Sequence, residues 1–137
     1  MMPLASLENG RYQSIKELGS GSMGEVYLVN DTVIGRKVAI KIMRADPAVY
    51  VDAATIKDAI RLFKHEAQAI ARLEHPHILP LYDFGEEKQQ HTLLLYMVMP
   101  NCPQGSLATW LQRQHPAGPL PPDNVAYFVE QAAEALQ

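Results

Sequence analysis

Apolar positions in the first 42 residues fall in short alternating runs. These are Tyr12 to Leu18, Glu25-Val26-Tyr27-Leu28-Val29 and Lys37-Val38-Ala39-Ile40-Lys41-Ile42, broken by glycines at 19, 21 and 24 and by Asn30-Asp31-Thr32. Alternation in β-branched and aromatic stretches between turn residues predicts three antiparallel strands. From Ala53 to Leu73 the spacing becomes helical, with Ile56, Ile60, Phe63, Ala67 and Ile70 on one stripe and Asp52 placed to cap the first turn. His75-Pro76 ends that helix. Ile78 to Phe84 and Thr92 to Met99 then read as two further strands, joined by the polar run Gly85 to Gln90 as a turn. Ser106 can cap a short helix presenting Leu107, Trp110 and Leu111. Asp123 to Gln137 forms a final one with Val125, Phe128, Val129, Ala132, Ala133 and Leu136, and the Pro-rich stretch His115 to Pro122 separates the two.

The pattern therefore predicts an α+β chain. An extension (1–11) precedes a five-stranded antiparallel sheet with one long helix (12–104), and the start of a helical unit (105–137) follows, with the boundary near Gly105. Composition changes this picture little: 137 residues, 47% apolar and 20% charged, are those of one ordinary domain. A net charge of −3 provides no cationic excess for a nucleic-acid backbone. The single cysteine, Cys102, excludes an intramolecular disulfide and a cysteine-based zinc site, and makes a reducing, cytoplasmic compartment the expectation. The longest apolar run, Leu93 to Pro100, falls far short of the roughly 20 residues of a membrane helix, and Met1-Met2-Pro3-Leu4 lacks the features of a signal peptide, so no membrane contact is expected within the chain. The histidines at 65, 75, 77, 91 and 115 have no ligand spacing, so no bound metal is expected from them. Only Arg113 is basic after residue 91, against Asp123, Glu130 and Glu134, so the last third is built for burial and should self-associate if left uncovered.

The candidate chemistry lies in Leu18-Gly19-Ser20-Gly21-Ser22-Met23-Gly24-Glu25-Val26. G-x-G-x-x-G brings backbone amides against phosphate in several folds, so its context decides. In a dinucleotide-binding βαβ unit the third glycine opens a helix; here it opens a strand, with no acidic residue about 20 positions on. A Walker A loop needs Gly-Lys-Ser/Thr where this chain has Gly24-Glu25-Val26. A tight hairpin alone needs one or two residues of positive φ, not three glycines at this spacing. Lys41 is unusual in an apolar strand, since its ammonium needs water or a cleft; alternation puts it on one face with Ala39.

A glycine-rich hairpin followed by a lysine on the next strand is the arrangement of protein kinases. Val38-Ala39-Ile40-Lys41 matches their lysine motif, Glu66 lies in the following helix, and Leu73-Glu74-His75-Pro76-His77-Ile78 resembles the entry to their fourth strand. From Tyr12 to Gln137 the chain resembles the eukaryotic-like serine/threonine protein kinases of bacteria, which the glycine loop and Gly105-Ser106-Leu107 match well. The resemblance implies that Leu18 to Val26 covers ATP, with Ser22 and Met23 offering amides at the loop tip. It further implies that Ala39 and Val26 lie against adenine, and that Lys41 reaches the α and β phosphates and pairs with Glu66. The 25 residues between Lys41 and Glu66 exceed the usual spacing, with the surplus around Ala45 to Asp52. Met99 is the gatekeeper by position, and Pro100 and Cys102 supply the hinge carbonyls and amide.

The magnesium ligands and catalytic base of the family would lie beyond Gln137, so the 137 residues alone are expected to hold ATP without transferring phosphate. The protein substrate is unspecified. A nucleotide-binding pseudokinase or regulatory module is the alternative, and a small-molecule phosphotransferase of kinase-like fold a weaker one.

Overall fold

The computed structural model describes residues 3–21, 24–45, 52–114, 118–119 and 121–136. The loop-tip residues Ser22 and Met23, the lead-in to the helix at 46–51 and most of the first half of the His115–Pro122 stretch lie outside the described residues. Six strands and three helices follow in the order β1 (Ser6–Leu7), β2 (Tyr12–Gly21), β3 (Gly24–Asp31), β4 (Arg36–Ala45), α1 (Ala53–Ala71), β5 (Asp83–Gln89), β6 (Thr92–Pro100), α2 (Leu107–Gln114) and α3 (Pro122–Ala135). The strands form one antiparallel sheet in the order β1-β2-β3-β4-β6-β5.

Two expectations are corrected. The sheet has six strands rather than five, because the expected extension contributes β1, paired with β2 through Ser6–Gln13 and Leu7–Tyr12. Leu4 and Leu7 are buried in the core, a role that a two-residue strand cannot announce by periodicity. The fifth strand, expected over Ile78–Phe84, begins only at Asp83 and runs through the polar residues expected to form the turn, leaving Gln90-His91 as the reversal, with Gln90 at φ 57°. Its polarity suits an edge strand whose partners are polar. Gln89 Nε2 donates to the Ser6 carbonyl at 2.7 Å, and the Glu8 amide donates to Glu87 Oε1 at 2.8 Å. These bonds join opposite edges of the sheet, which therefore curls around its own core. Gly85 completes the fit, since a Cβ there would lie 2.7 Å from the hydroxyl of Tyr96, its cross-strand partner. That hydroxyl donates to Glu8 Oε1, and burial together with this carboxylate holds its pKa above the usual tyrosine value.

Period-two alternation gives the sheet two differently used faces. One carries Tyr12, Tyr27, Val29, Val38, Ile40, Ile42, Leu94, Tyr96 and Val98, packed with Leu4 and Leu7. The other carries Leu95 and Met97 against Phe63 and Ala67 of α1, flanked by Met43, Ile60, Ile70, Phe84 and Met99. Ile60, Phe63, Ala67 and Ile70 of the stripe read from the sequence thus form the packed face, and Asp52 caps α1 by accepting from the Thr55 amide at 2.7 Å. Lys64 of α1 pairs with Glu86 of β5 at 3.2 Å.

The chain divides into two compact units, residues 1–73 with 80–101 and residues 74–79 with 102–137. In the second unit Ser106 Oγ accepts from the Thr109 amide at 3.1 Å, as its predicted capping role requires. Trp110 of α2 meets Phe128 of α3 edge to face, with ring centroids 5.6 Å apart. His77 Nε2 lies 3.0 Å from Glu134 Oε2, which ties the 74–79 segment to α3. Among the described residues neither α2 nor α3 has a fully buried side chain.

Candidate nucleotide site

Strand register assembles the predicted residues. Val26 lies opposite Lys41, and Lys41 opposite Met97; Leu28 lies opposite Ala39, and Ala39 opposite Met99. Residues directly opposed in a ladder share a face, so Val26, Ala39, Lys41 and Met99 line one side of β3, β4 and β6, the side that α1 covers farther along at Met43, Leu95 and Met97. Lys41 is half-buried within this apolar strip. A cation placed there needs a counter-charge or an anionic ligand.

The glycine hairpin closes the same end of the sheet. Gly21 pairs with Gly24, Ser20 with Glu25 and Gly19 with Val26, so the hairpin extends beyond the first β3–β4 pair, Glu25–Ile42. The three glycines differ in what the fold asks of them. Gly24 has φ 118°, and a Cβ there would lie 2.2 Å from the Ile42 carbonyl oxygen, so the chain itself requires glycine. At Gly19 and Gly21 an added Cβ would meet no heavy atom within 4 Å, and neither has a left-handed φ. Among the described residues nothing demands their lack of a side chain, whereas close approach of phosphate to their amides would.

Two of the predicted residues take unforeseen positions. The β2–β3 register slips between Ser14 and Lys16 and again between Glu17 and Gly19, leaving Ile15 and Leu18 as bulged residues, 49% and 48% exposed. Bulges commonly re-aim side chains beside binding sites, and a strand read by simple alternation cannot show them. Glu25 points to the opposite face from Val26. Its carboxylate accepts from Arg44 Nε at 2.6 Å and Nη2 at 3.1 Å, and from the Tyr27 hydroxyl at 2.6 Å. Burial opposes ionisation of Glu25, but the hydrogen bonds from Arg44 and Tyr27 outweigh it and hold its pKa below the ordinary glutamate value. Sequence reasoning missed Arg44; its place three residues after Lys41 and the acidic residue following Gly24 were the available signals.

Other predicted residues are not brought together. No ion pair joins Lys41 to Glu66 among the described residues, and Glu66 is exposed one position before the fully buried Ala67. Pro100 ends β6 opposite Val38. Cys102 belongs to the second unit and is exposed, and its carbonyl accepts from the Gly105 amide at 3.0 Å. A cavity of about 390 Å³ borders α1 at Lys57, Ile60, Arg61, Lys64, His65 and Gln68, and includes none of the predicted site residues. No cluster of metal-ligating side chains occurs among the described residues.

Against known families, the description "Protein kinase domain" matches residues 12–137. This chain belongs to the protein kinase family. The chain is 36% identical over 128 residues to the serine/threonine-protein kinase PrkC of Bacillus subtilis, covering 93% of this chain and 18% of that protein. It is 35% identical over 130 residues to the serine/threonine-protein kinase PknB of Mycobacterium leprae, covering 92% and 19%. Among solved structures, a point variant of the PknI kinase domain of Mycobacterium tuberculosis superposes with a TM-score of 0.70 at 32% identity, over 98% of this chain and 51% of that one. The chain thus spans about a fifth of those curated relatives and about half of that solved domain. Its sheet-plus-helix unit and following helices agree with the kinase-like fold expected from the sequence.

Proposed function

We propose that the chain holds and orients ATP for a serine/threonine protein kinase reaction, in which the γ-phosphoryl group passes to a protein hydroxyl. The observation that carries this reading is the shared face of Val26, Ala39, Lys41 and Met99 next to a hairpin whose Gly19 and Gly21 meet no described atom that requires glycine. The family generally uses ATP with Mg²⁺, and these residues suit the nucleotide. Val26, Ala39 and Met99 offer an apolar strip for a purine ring. The Gly19 and Gly21 segment brings backbone amides within reach of phosphate oxygens. Lys41 supplies the fixed positive charge that orients the α and β phosphates, and Glu66, carried on α1, is the carboxylate that steadies it when the two pair. Pro100 offers a backbone carbonyl to the adenine edge, and the proline sacrifices no donor because this role needs only a carbonyl. Magnesium, when bound with ATP, neutralises phosphate charge during transfer.

The test is Lys41→Met in the full protein. Loss of about two orders of magnitude or more in phosphoryl transfer, with an unchanged melting temperature, is expected from removing a group that orients charge rather than fills the core. Wild-type kinetics in that variant would overturn the reading.

A further inference from the structure

The glycine hairpin has weak ties to the sheet. Its β2 arm carries two bulges and is exposed from Ile15 to Gly21, so its hold must come through β3. Pairing of β3 with β4 begins at Glu25–Ile42, the point at which the hairpin leaves the sheet. Across that point Glu25 reaches diagonally to Arg44, on the same face and two residues beyond its direct partner, a separation that long side chains span. The two bonds of 2.6 and 3.1 Å form a fork-like contact, and both side chains are mostly buried, at 16% and 14% exposure. The Tyr27 hydroxyl donates to the same carboxylate and accepts from the Leu4 amide at 3.4 Å, which extends the clamp to the N-terminal segment.

We propose that Arg44 is a positioning residue for nucleotide phosphates: its ion pair with Glu25 fixes the base of the glycine hairpin to the strand that carries Lys41. Arg44 lies on the opposite face from Lys41, so it acts through Glu25 and Gly24. The inference rests on the nucleotide-binding reading above. It predicts an effect confined to the part of the ligand under the hairpin: the phosphates depend on the clamp, whereas adenosine, held by Val26, Ala39, Met99 and the backbone after them, does not. A guanidinium fork is needed because lysine supplies charge without the paired geometry.

The experiment titrates the full chain with ATP and, separately, with adenosine, each by displacement of a fluorescent ATP analogue. Arg44→Met is expected to weaken ATP about tenfold, the order of one charge-assisted contact, and to leave adenosine within about twofold. Arg44→Lys should fall between it and the wild type. The exchanged pair Glu25→Arg with Arg44→Glu should bind ATP more tightly than Arg44→Met. Equal losses for ATP and adenosine, or none for either, would overturn the positioning role while leaving the nucleotide reading intact. A wild-type chain that binds neither ligand would remove both. Should Arg44→Met fail to fold, Glu25→Gln compared with the exchanged pair decides: ATP affinity recovered in the pair supports the clamp, and equal loss in both overturns it.

Discussion

Gly24 and Ile42 meet so closely that a single added carbon would place Cβ 2.2 Å from the Ile42 carbonyl oxygen, at a φ of 118° that L-residues rarely adopt. Gly19 and Gly21 face no such obstacle. The motif therefore combines one glycine that the fold needs with two that it does not. Gly24→Ala should cost about 3 kcal/mol or more, because backbone strain and a backbone clash coincide. Gly19→Ala and Gly21→Ala should stay within about 0.5 kcal/mol of wild type in stability, as substitutions facing open space do, yet lower ATP affinity. Thermal melts with and without ATP separate the two classes. Uniform destabilisation by all three substitutions would make the glycines a turn device and nothing more.

Leu7 tests whether the N-terminal segment is part of the folding unit. It is fully buried among Tyr12, Tyr27 and Tyr96 in the larger core cluster. Leu7→Ala should cost about 2–5 kcal/mol, the range for deleting a buried leucine side chain. Denaturant unfolding measures it, and a change below about 0.5 kcal/mol, on the order of a surface substitution, would mean that residues 3–11 dock too weakly to matter.

How much of this was legible in the sequence depended on the range of the determining contact. Ile56, Ile60, Phe63, Ala67 and Ile70 repeat at helical spacing, and Asp52 lies next to the backbone that it caps, so α1 could be read locally. Ala39 and Lys41 could be placed on one face because strand alternation has a period of two, whereas Val26 and Met99 join them through the register across β3, β4 and β6. The misread elements were those whose logic is non-local. Gly85 to Gln89 looks like part of a polar turn until Ser6 and Glu8 arrive as partners from the far end of the chain. Leu18 looks like any strand residue until the register slip beside it is known. The Glu25–Arg44 pair spans 19 residues across a hairpin, and each half, taken singly, reads as an ordinary surface charge.

Acid should weaken the fold through two carboxylates. Hydrogen bonds from Arg11, at 3.2 Å to each oxygen, and from the Val33 and Ile34 amides hold the Asp31 pKa below the usual aspartate value, against the opposing effect of burial. For Glu25, burial acts upward, but Arg44 and Tyr27 bring the net shift downward. A carboxylate with a lower pKa in the folded than in the unfolded chain contributes stability that is fully present above the unfolded value, about 4. That contribution is lost as pH falls from there through the folded value. Urea unfolding from neutral pH down to about pH 3 should therefore show declining stability over the lower part of that range. Asp31→Asn and Glu25→Gln should each flatten the decline while lowering stability at neutral pH, and an unchanged slope in both would assign the acid sensitivity to other groups.

The last helix carries the strongest expectation about behaviour in solution. Val125, Val129 and Leu136 recur at spacings of four and seven along one stripe of α3 and its C-cap, and are 46%, 62% and 88% exposed. Tyr127, on the other side of the helix, is 58% exposed. Within the second unit the Trp110–Phe128 contact engages the neighbouring face of α3, while the stripe itself stays exposed. A large apolar side chain left in water forgoes roughly 1.5–3 kcal/mol of burial, and contiguous residues of this kind favour association. The 137-residue chain should therefore self-associate with rising concentration, measured by light scattering. Val129→Lys, which places a charge at the middle of the stripe, should shift it toward monomer without lowering the melting temperature. A wild-type chain that stays monomeric over the same concentrations would show that the stripe does not drive association.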